Sequence, residues 1–484
     1  MTLRPLDLLI VVLYLGGITA FGMRFRRSQR TLRGYFLADR DIPWWAISLS
    51  IVATETSTLT IISIPGLAYD TNLAFLQVAL GYCLGRVLIS LVLLPQYFRG
   101  ELYTAYELME RRFGGNLRSA TAALFLLTRA VADGVRVWAV SIVVMIALGT
   151  GDVASVALIT VLTLAYTLEG GLAAVIWTDV VQLAVYVGGT LVGLMVILQL
   201  VPGGAPAVLS VAEAAGRLQV FDFSFDFSRA YTFWAGLIGG GFLTMASHGT
   251  DQLIVQRLLA ARSRLESQAA LISSGIIVFL QFVIFLLIGV ALFAFYRLVE
   301  PSAVFARSDA IFPTFIVTRM PAGVAGLLLA AILAAAMSTL SSSLSSLSST
   351  SIVDFYVRRN PETSEARRMV LSRRATLFWA MVLFGFALLA RRGGRVVELG
   401  LTIASVAYGA LLGVFLLGVL TRRTHERGAI LGLAAGLAVG LYLWLATAVP
   451  WTWYVALGTM ATFSIGYVAS LFLSDPNNKG EQSA

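Results

Sequence analysis

The stretch "AILAAAMSTLSSSLSSLSST" (331–350) follows the apolar run "AGVAGLLLA" (322–330) with no intervening charge or proline. Hydropathy therefore reads the two as one membrane helix. Yet half of the stretch carries a hydroxyl. Residues three and four apart share a helix face, so Ser338, Ser341, Ser342, Ser345 and Ser349 form a stripe, with Thr339 and Ser346 beside it. One reading makes these serines structural, bonding back to the carbonyl four residues earlier or offering a small surface for close packing. A continuous stripe favours a second reading, because so much oxygen facing lipid or a dry core is costly. Neutral oxygens suit a partly dehydrated alkali cation, which needs several hard ligands and must be able to leave again.

The composition supplies the bilayer. Of 484 residues 58% are hydrophobic and 13% charged, and the mean hydropathy is +0.84, which reads as a polytopic all-α membrane protein. The net charge of +9 comes mostly from arginines clustered between apolar runs. That is the pattern of cytoplasmic loops and not of a nucleic-acid surface, so no nucleic-acid partner is expected. The single Cys83 excludes an intrachain disulfide, and neither His248 nor His425 has metal-ligand companions at suitable spacing.

About thirteen spans are expected, near 6–23, 43–69, 73–97, 117–149, 153–168, 171–201, 231–248, 268–296, 321–352, 375–391, 396–420, 428–448 and 452–473. The first is followed by "RFRRSQRTLRG" and has no basic region before it, so it reads as a retained helix with the N-terminus outside. Threading onward leaves the C-terminus cytoplasmic and puts "ARRGGR" (390–395) outside. The expected setting is a bacterial-type inner membrane. The loop at 202–230 is expected to cap the mouth, and the tail at 475–484 to be polar and disordered.

One helix makes an incomplete cation site. The second span, "SLSIVATETSTLTIISIPG" (48–66), places Thr54, Glu55, Thr56, Ser57, Thr58 and Thr60 at mid-depth, ahead of Pro65. Helix weakened at that depth is tolerated where it lines a cavity, and its freed carbonyls become ligands. The seventh span offers a matching interruption at Gly239–Gly241 in "WAGLIGGGFLTMASHG" (234–249). Two broken spans, each opening a set of five, are the expected mark of an inverted repeat.

"SIVATETSTLTIISIPG" (50–66), "YTLEGGLAAVIWTDVVQ" (166–182), "GTDQLIVQR" (249–257) and "AAAMSTLSSSLSSLSSTSIVDFY" (334–356) resemble signature stretches of the sodium:solute symporter family, which includes proline permease and the sodium/sugar and sialic acid symporters. The resemblance covers about residues 5–430. It implies a LeuT-type five-plus-five inverted repeat, with one helix before it and two after. The corresponding division is a single transporter domain over 1–474: an accessory helix and loop at 6–42, repeats at 43–201 and 231–420, and accessory helices at 428–474. Sodium, co-transported with a small organic solute, is the implied ion.

Carried over by position, the main sodium site falls on the carbonyls of Ala53, Thr56 and Ala335 and the hydroxyls of Ser338 and Thr339, with the pattern intact as "AAMST". A second sodium site, present in part of the family, corresponds to Asp179, Ser341 and Ser342. Asp179 reads independently as a deep carboxylate that needs either a cation or a buried arginine. Together these groups point to a second ion per cycle.

The substrate is less legible. Glu55 can bind an amine, accept from sugar hydroxyls or tune the cation site. Arg129 and Asp133 lie one turn apart, with Arg136 three residues on. They leave either a net positive charge suited to a carboxylate or an internally neutralised cluster. Ser57, Thr60 and Phe75 agree with the sialic acid symporters, but their carboxylate-binding arginine does not align, which argues against a sialic acid carrier. Trp234 and Tyr408 are further candidates to gate or stack on the solute. The solute is expected to be a sugar, sugar acid, amino acid or monocarboxylate. Two other classes compete: a solute sensor on the same fold would need a signalling domain, and an intramembrane enzyme would need a nucleophile with a base. Neither is seen, and the oligomeric state stays open.

Overall fold

The computed structural model describes residues 3–24, 38, 41–99, 105–166, 172–357, 359–360, 362–392 and 394–473. Residues 25–37 and 39–40 of the expected 6–42 helix and loop, residues 167–171 of the motif at 166–182 and the tail at 475–484 lie outside these residues, as do the side chains of Ser345 and Ser349.

The helices in chain order are α1 (Pro5–Met23), α2 (Trp44–Glu55), α3 (Thr58–Asp70), α4 (Leu76–Val92), α5 (Ala105–Phe113), α6 (Gly115–Leu148), α7 (Asp152–Tyr166), α8 (Leu172–Leu200), α9 (Gly204–Ala214), α10 (Gly240–Gly249), α11 (Gln252–Leu259), α12 (Arg264–Leu298), α13 (Ile311–Arg319), α14 (Val324–Ser349), α15 (Glu365–Ala390), α16 (Val396–Leu420), α17 (Glu426–Ala446) and α18 (Tyr454–Phe472). Among the described residues eight helices are long and apolar enough to cross a membrane. The α2–α3 pair forms one further span bent by 62°, and three shorter apolar helices lie at Pro5–Phe21, Leu76–Val92 and Asp152–Leu164. The remaining expected span is built from a π-helical turn, Ala235–Gly239, running into α10.

The bend between α2 and α3 is local chemistry. Thr56 leaves the helix at φ −81°, ψ 71°, and Ser57 is extended at φ −75°, ψ 173°. The Ser57 N–H, which regular helix would direct to the Ala53 carbonyl, bonds to the Glu55 carbonyl instead (2.9 Å). The break therefore releases backbone oxygen at the expected depth.

The seventh span breaks elsewhere than its glycines suggest. Gly239 (φ −63°) and Gly240 (φ −61°) are helical, and the chain turns at Thr250 and Asp251, where Asp251 caps α11 by accepting from Leu253 N (2.9 Å). The glycines serve packing. A Cβ on Gly240 would meet the Val78 carbonyl oxygen at 2.5 Å, and one on Gly81 would overlap that of Gly236. The run "IGGG" thus lets the seventh span lie directly on α4, as small residues do between membrane helices, and the interruption comes ten residues later.

The serine-rich α14 packs against α1, α6, α7, α8 and α15. Its start is held by another helix: Asp7 of α1, 2% exposed, accepts from Gly323 N (2.7 Å) and Gly326 N (3.0 Å). A carboxylate at a helix N-terminus satisfies free N–H groups and opposes the helix dipole. The helices α17 and α18 pack on α16 and on each other.

Candidate functional site

The break after α2 faces α14. The Thr58 hydroxyl donates to the Ile332 carbonyl (3.3 Å), one turn before Ala335, and the Thr56 hydroxyl donates to Gln281 Oε1 of α12 (2.7 Å). On α14 the Thr339 hydroxyl donates to the Ala335 carbonyl (3.0 Å) and the Ser342 hydroxyl to the Ser338 carbonyl (3.0 Å). These bonds spend each hydroxyl's proton and leave its lone pairs as acceptors. Back-bonding and cation ligation are therefore compatible readings of the ladder. Ser338 is itself buried. Ala53, Thr56, Ala335, Ser338 and Thr339 offer oxygens without a formal charge, a set suited to sodium.

Asp179 of α8 has the arginine that sequence reading held as its alternative partner. Its Oδ2 accepts from the Ser50 hydroxyl (2.7 Å) and from Arg257 Nη2 (3.1 Å), and Arg257 Nε donates to the same Ser50 hydroxyl (2.9 Å). The three groups form a closed triangle joining α2, α8 and α11. Ser341 and Ser342 lie one turn beyond Ser338 on α14.

A cavity of about 180 Å³ lies between the two breaks and extends toward α5. Glu55, Ser57, Thr60, Phe75, Arg136 and Tyr408 all line it. Trp234 does not: it is 39% exposed and packs edge-on against Phe233, because the seventh span breaks below the glycines and its first turn stays at the surface. At one end Phe75 packs against Phe282 (5.1 Å between centroids) and Tyr231 (5.7 Å), and the Tyr231 hydroxyl donates to Glu398 Oε1 (2.5 Å).

The electrostatics settle the charge of the α6 cluster. Asp133 takes Arg129 at 2.7 Å and Arg136 at 3.0 Å, while Arg129 also reaches Asp251 (3.6 Å) and the Ser343 hydroxyl (2.6 Å). Asp251 in turn accepts from the Tyr408 hydroxyl (3.1 Å). Two arginines meet two aspartates, so of the two readings the sequence left open the cluster is the neutralised one.

Sequence reading passed over three groups at this site: His248 and Asp251 line the cavity, and Arg86 lies behind its wall. Arg86 of α4 is fully buried and pairs with Glu55, and its Nη2 also lies 3.2 Å from His248 Nε2. His248 belongs to the last turn before the second break, and Asp251 to the break itself. A signal for Arg86 was present: an arginine within "LGYCLGRVLISLV" (80–92) is an intramembrane charge, which marks function by default.

A bent second span, a break in the seventh and a hydroxyl-rich ninth span beside the first break define a cation-coupled transporter of the inverted-repeat class. The chain matches the sodium:solute symporter family over residues 35–436, and it belongs to that family. It is 29% identical to the sodium/sialic acid symporter NanT of Aliivibrio fischeri, over 98% of this chain and 95% of that protein. It is 27% identical to sodium-coupled monocarboxylate transporter 2 of Bos taurus, over 92% and 73% respectively. A solved substrate-bound, outward-open structure of a Na+-coupled sialic acid symporter superposes with TM-score 0.85 at 27% identity, covering 98% of this chain and 99% of that one. The chain is therefore a multi-pass membrane protein with the LeuT-type repeat. It is a sodium-coupled solute symporter working by alternating access, and not an enzyme.

Proposed function

We propose that the chain takes up a small organic monocarboxylate with one sodium ion, and that the solute supplies the counter-charge of that ion. The observation carrying this reading is the charge balance around the cavity. Glu55, Asp133 and Asp251 stand against Arg86, Arg129 and Arg136, and the proposed main sodium ligands, Ala53, Thr56, Ala335, Ser338 and Thr339, are all neutral. A bound sodium ion is then the uncompensated charge in a poorly screened setting, and a monoanion beside it restores neutrality. Arg136 gives one nitrogen to Asp133, keeps 27% of its side chain exposed at the cavity wall and has further donors for a carboxylate. Ser57, Thr60 and Glu55 present oxygens for solute hydroxyl or amine groups, with Phe75 and Tyr408 as apolar walls. The names of the relatives, sialic acid and monocarboxylate carriers, agree with an acidic solute.

The second sodium site is proposed at Asp179, Ser341 and Ser342. Because Arg257 already neutralises Asp179, this site fills only when the triangle with Ser50 opens. The proposed setting is a lipid bilayer of the bacterial inner-membrane type, with the N-terminus outside, the C-terminus cytoplasmic, repeats at 43–201 and 231–420, and accessory helices at 6–42 and 428–474. The test is charge movement in proteoliposomes supplied with small carboxylates, neutral sugars and amino acids. Sodium-dependent uptake of a carboxylate without net current is expected. Sodium-driven uptake of neutral solutes alone overturns the reading, and one net positive charge per carboxylate means that the second ion travels.

A further inference from the structure

The donors of Arg86 are committed inside the protein. Its Nε donates to the Ser274 hydroxyl of α12 (3.1 Å), Nη1 to the Tyr82 carbonyl (3.3 Å), and Nη2 to Glu55 Oε2 and His248 Nε2 (3.2 Å). A guanidinium donates and does not accept, so its contact with His248 Nε2 fits a ring whose proton is on Nδ1, which lies 2.9 Å from the Ser247 hydroxyl. The same Nε2 lies 3.5 Å from Glu55 Oε2, and Arg86 is the nearer counter-charge of Glu55.

The surroundings of that guanidinium are those of a cation. A carboxylate oxygen, a backbone carbonyl, a serine hydroxyl and an imidazole nitrogen converge on it from α2, α4, α12 and α10. Arg86 is 0% exposed and is not part of the cavity wall, whereas Glu55 keeps 15% of its side chain exposed there. Glu55 also sits between Thr54 and Thr56, in the turn whose carbonyls belong to the proposed main sodium site.

We propose that Arg86 is a tethered cation occupying the place of a coupling ion: it neutralises Glu55, withholds that carboxylate from ion binding and thereby sets how many cations the cavity takes. Removing the guanidinium leaves the Glu55 carboxylate without its counter-charge in a water-poor site, which then recruits a cation from the cavity. The proposal uses the cavity reading above only for the position of the main sodium site, so it stands or falls independently of the solute.

The test needs sodium alone. Sodium-dependent thermal stabilisation of the purified full-length protein is measured for the wild type, Arg86→Lys, Arg86→Met and Glu55→Gln/Arg86→Met. In Arg86→Met the apparent number of bound sodium ions is expected to rise by one. Arg86→Lys and the double variant are expected to keep the wild-type number. An Arg86→Met protein whose sodium response is unchanged overturns the proposal. So does an extra response that survives in the double variant. Should Arg86→Met fail to fold, the double variant decides: recovery of a folded, wild-type sodium response supports the proposal, and failure refutes it. A solute other than a carboxylate would alter none of these outcomes.

Discussion

Replacing Thr339 by valine is the most direct probe of the serine-rich helix. The Thr339 hydroxyl gives its proton to the Ala335 carbonyl at 3.0 Å, so what remains for a cation is a pair of oxygen lone pairs. Valine keeps the β-branched shape and its restricted χ1 and removes only that oxygen. An interaction between a neutral polar group and a charge contributes about 1.5–3 kcal/mol. At 1.4 kcal/mol per decade, the half-saturating sodium concentration should rise roughly tenfold to a hundredfold. Thr339→Ser, which keeps the oxygen, should stay near the wild type. The assay is initial uptake in proteoliposomes over a sodium series, paired with sodium-induced thermal stabilisation in detergent so that an effect on the ion is separated from one on the solute. A valine variant with unchanged half-saturation in both measurements would refute the assignment and return Thr339 to a packing role.

Two further perturbations test the framework. Alanine at Gly81 would overlap the Gly236 carbonyl oxygen and come within 2.9 Å of the Gly240 Cα, both backbone; overpacking of about 1–3 kcal/mol or more should lower the unfolding temperature, whereas Gly16→Ala, with nothing within 4 Å, should leave it unchanged. Arg257→Met strands the buried Asp179 carboxylate and should cost about 3–5 kcal/mol, most of it recovered in Asp179→Asn/Arg257→Met; equal stability of the single and double variants by thermal unfolding would show that the triangle with Ser50 does not hold α8 to α11.

What could be read from the chain depended on whether a signal was local. The bend at Thr56 and Ser57 was legible, because a hydroxyl-rich, β-branched run before Pro65 competes with its own helix within a few residues. The ladder on α14 was legible because helical spacing alone gathers its oxygens on one face. The second break was misplaced because glycine has two uses. At Gly239–Gly241 the absent Cβ admits another backbone, which depends on residues far away in sequence, whereas the turn at Thr250 and Asp251 is marked by the single Gly249 that ends the helix, a weaker signal than three glycines in a row. Charge pairing was the least legible. Arg129 and Asp133 lie within one turn, but Arg86 and Glu55 are 31 positions apart and Asp179 and Arg257 are 78 apart, and only the fold brings them together. Trp234 was named for its chemistry, and its exposed position away from the cavity decided against it.

The positions of these pairs bear on how the cavity changes sides. Glu55 and Arg86, from the first proposed repeat, meet His248 of the second, and Arg129 meets Asp251 in the same way. Asp179 of the first meets Arg257 of the second, and at the end roofed by Phe75 and Tyr231, Asp70 meets Arg395. Polar links thus run between the halves at several depths, and any motion that closes the cavity at one end and opens it at the other must carry, exchange or part them. Parting a buried pair costs several kcal/mol, so exchange and rigid transport are the cheaper routes. Asp133, shared by Arg129 and Arg136, and Asp251, shared by Arg129, Tyr408 and the α11 N-terminus, each hold a second partner through a shift. The Ser50, Asp179 and Arg257 triangle is different, since each member bonds to both others. Its members have only one another across the three helices, so opening it for the proposed second ion carries the cost of parting a buried pair, whereas the first break, where the Ser57 N–H has already left its helical bond, yields at less cost.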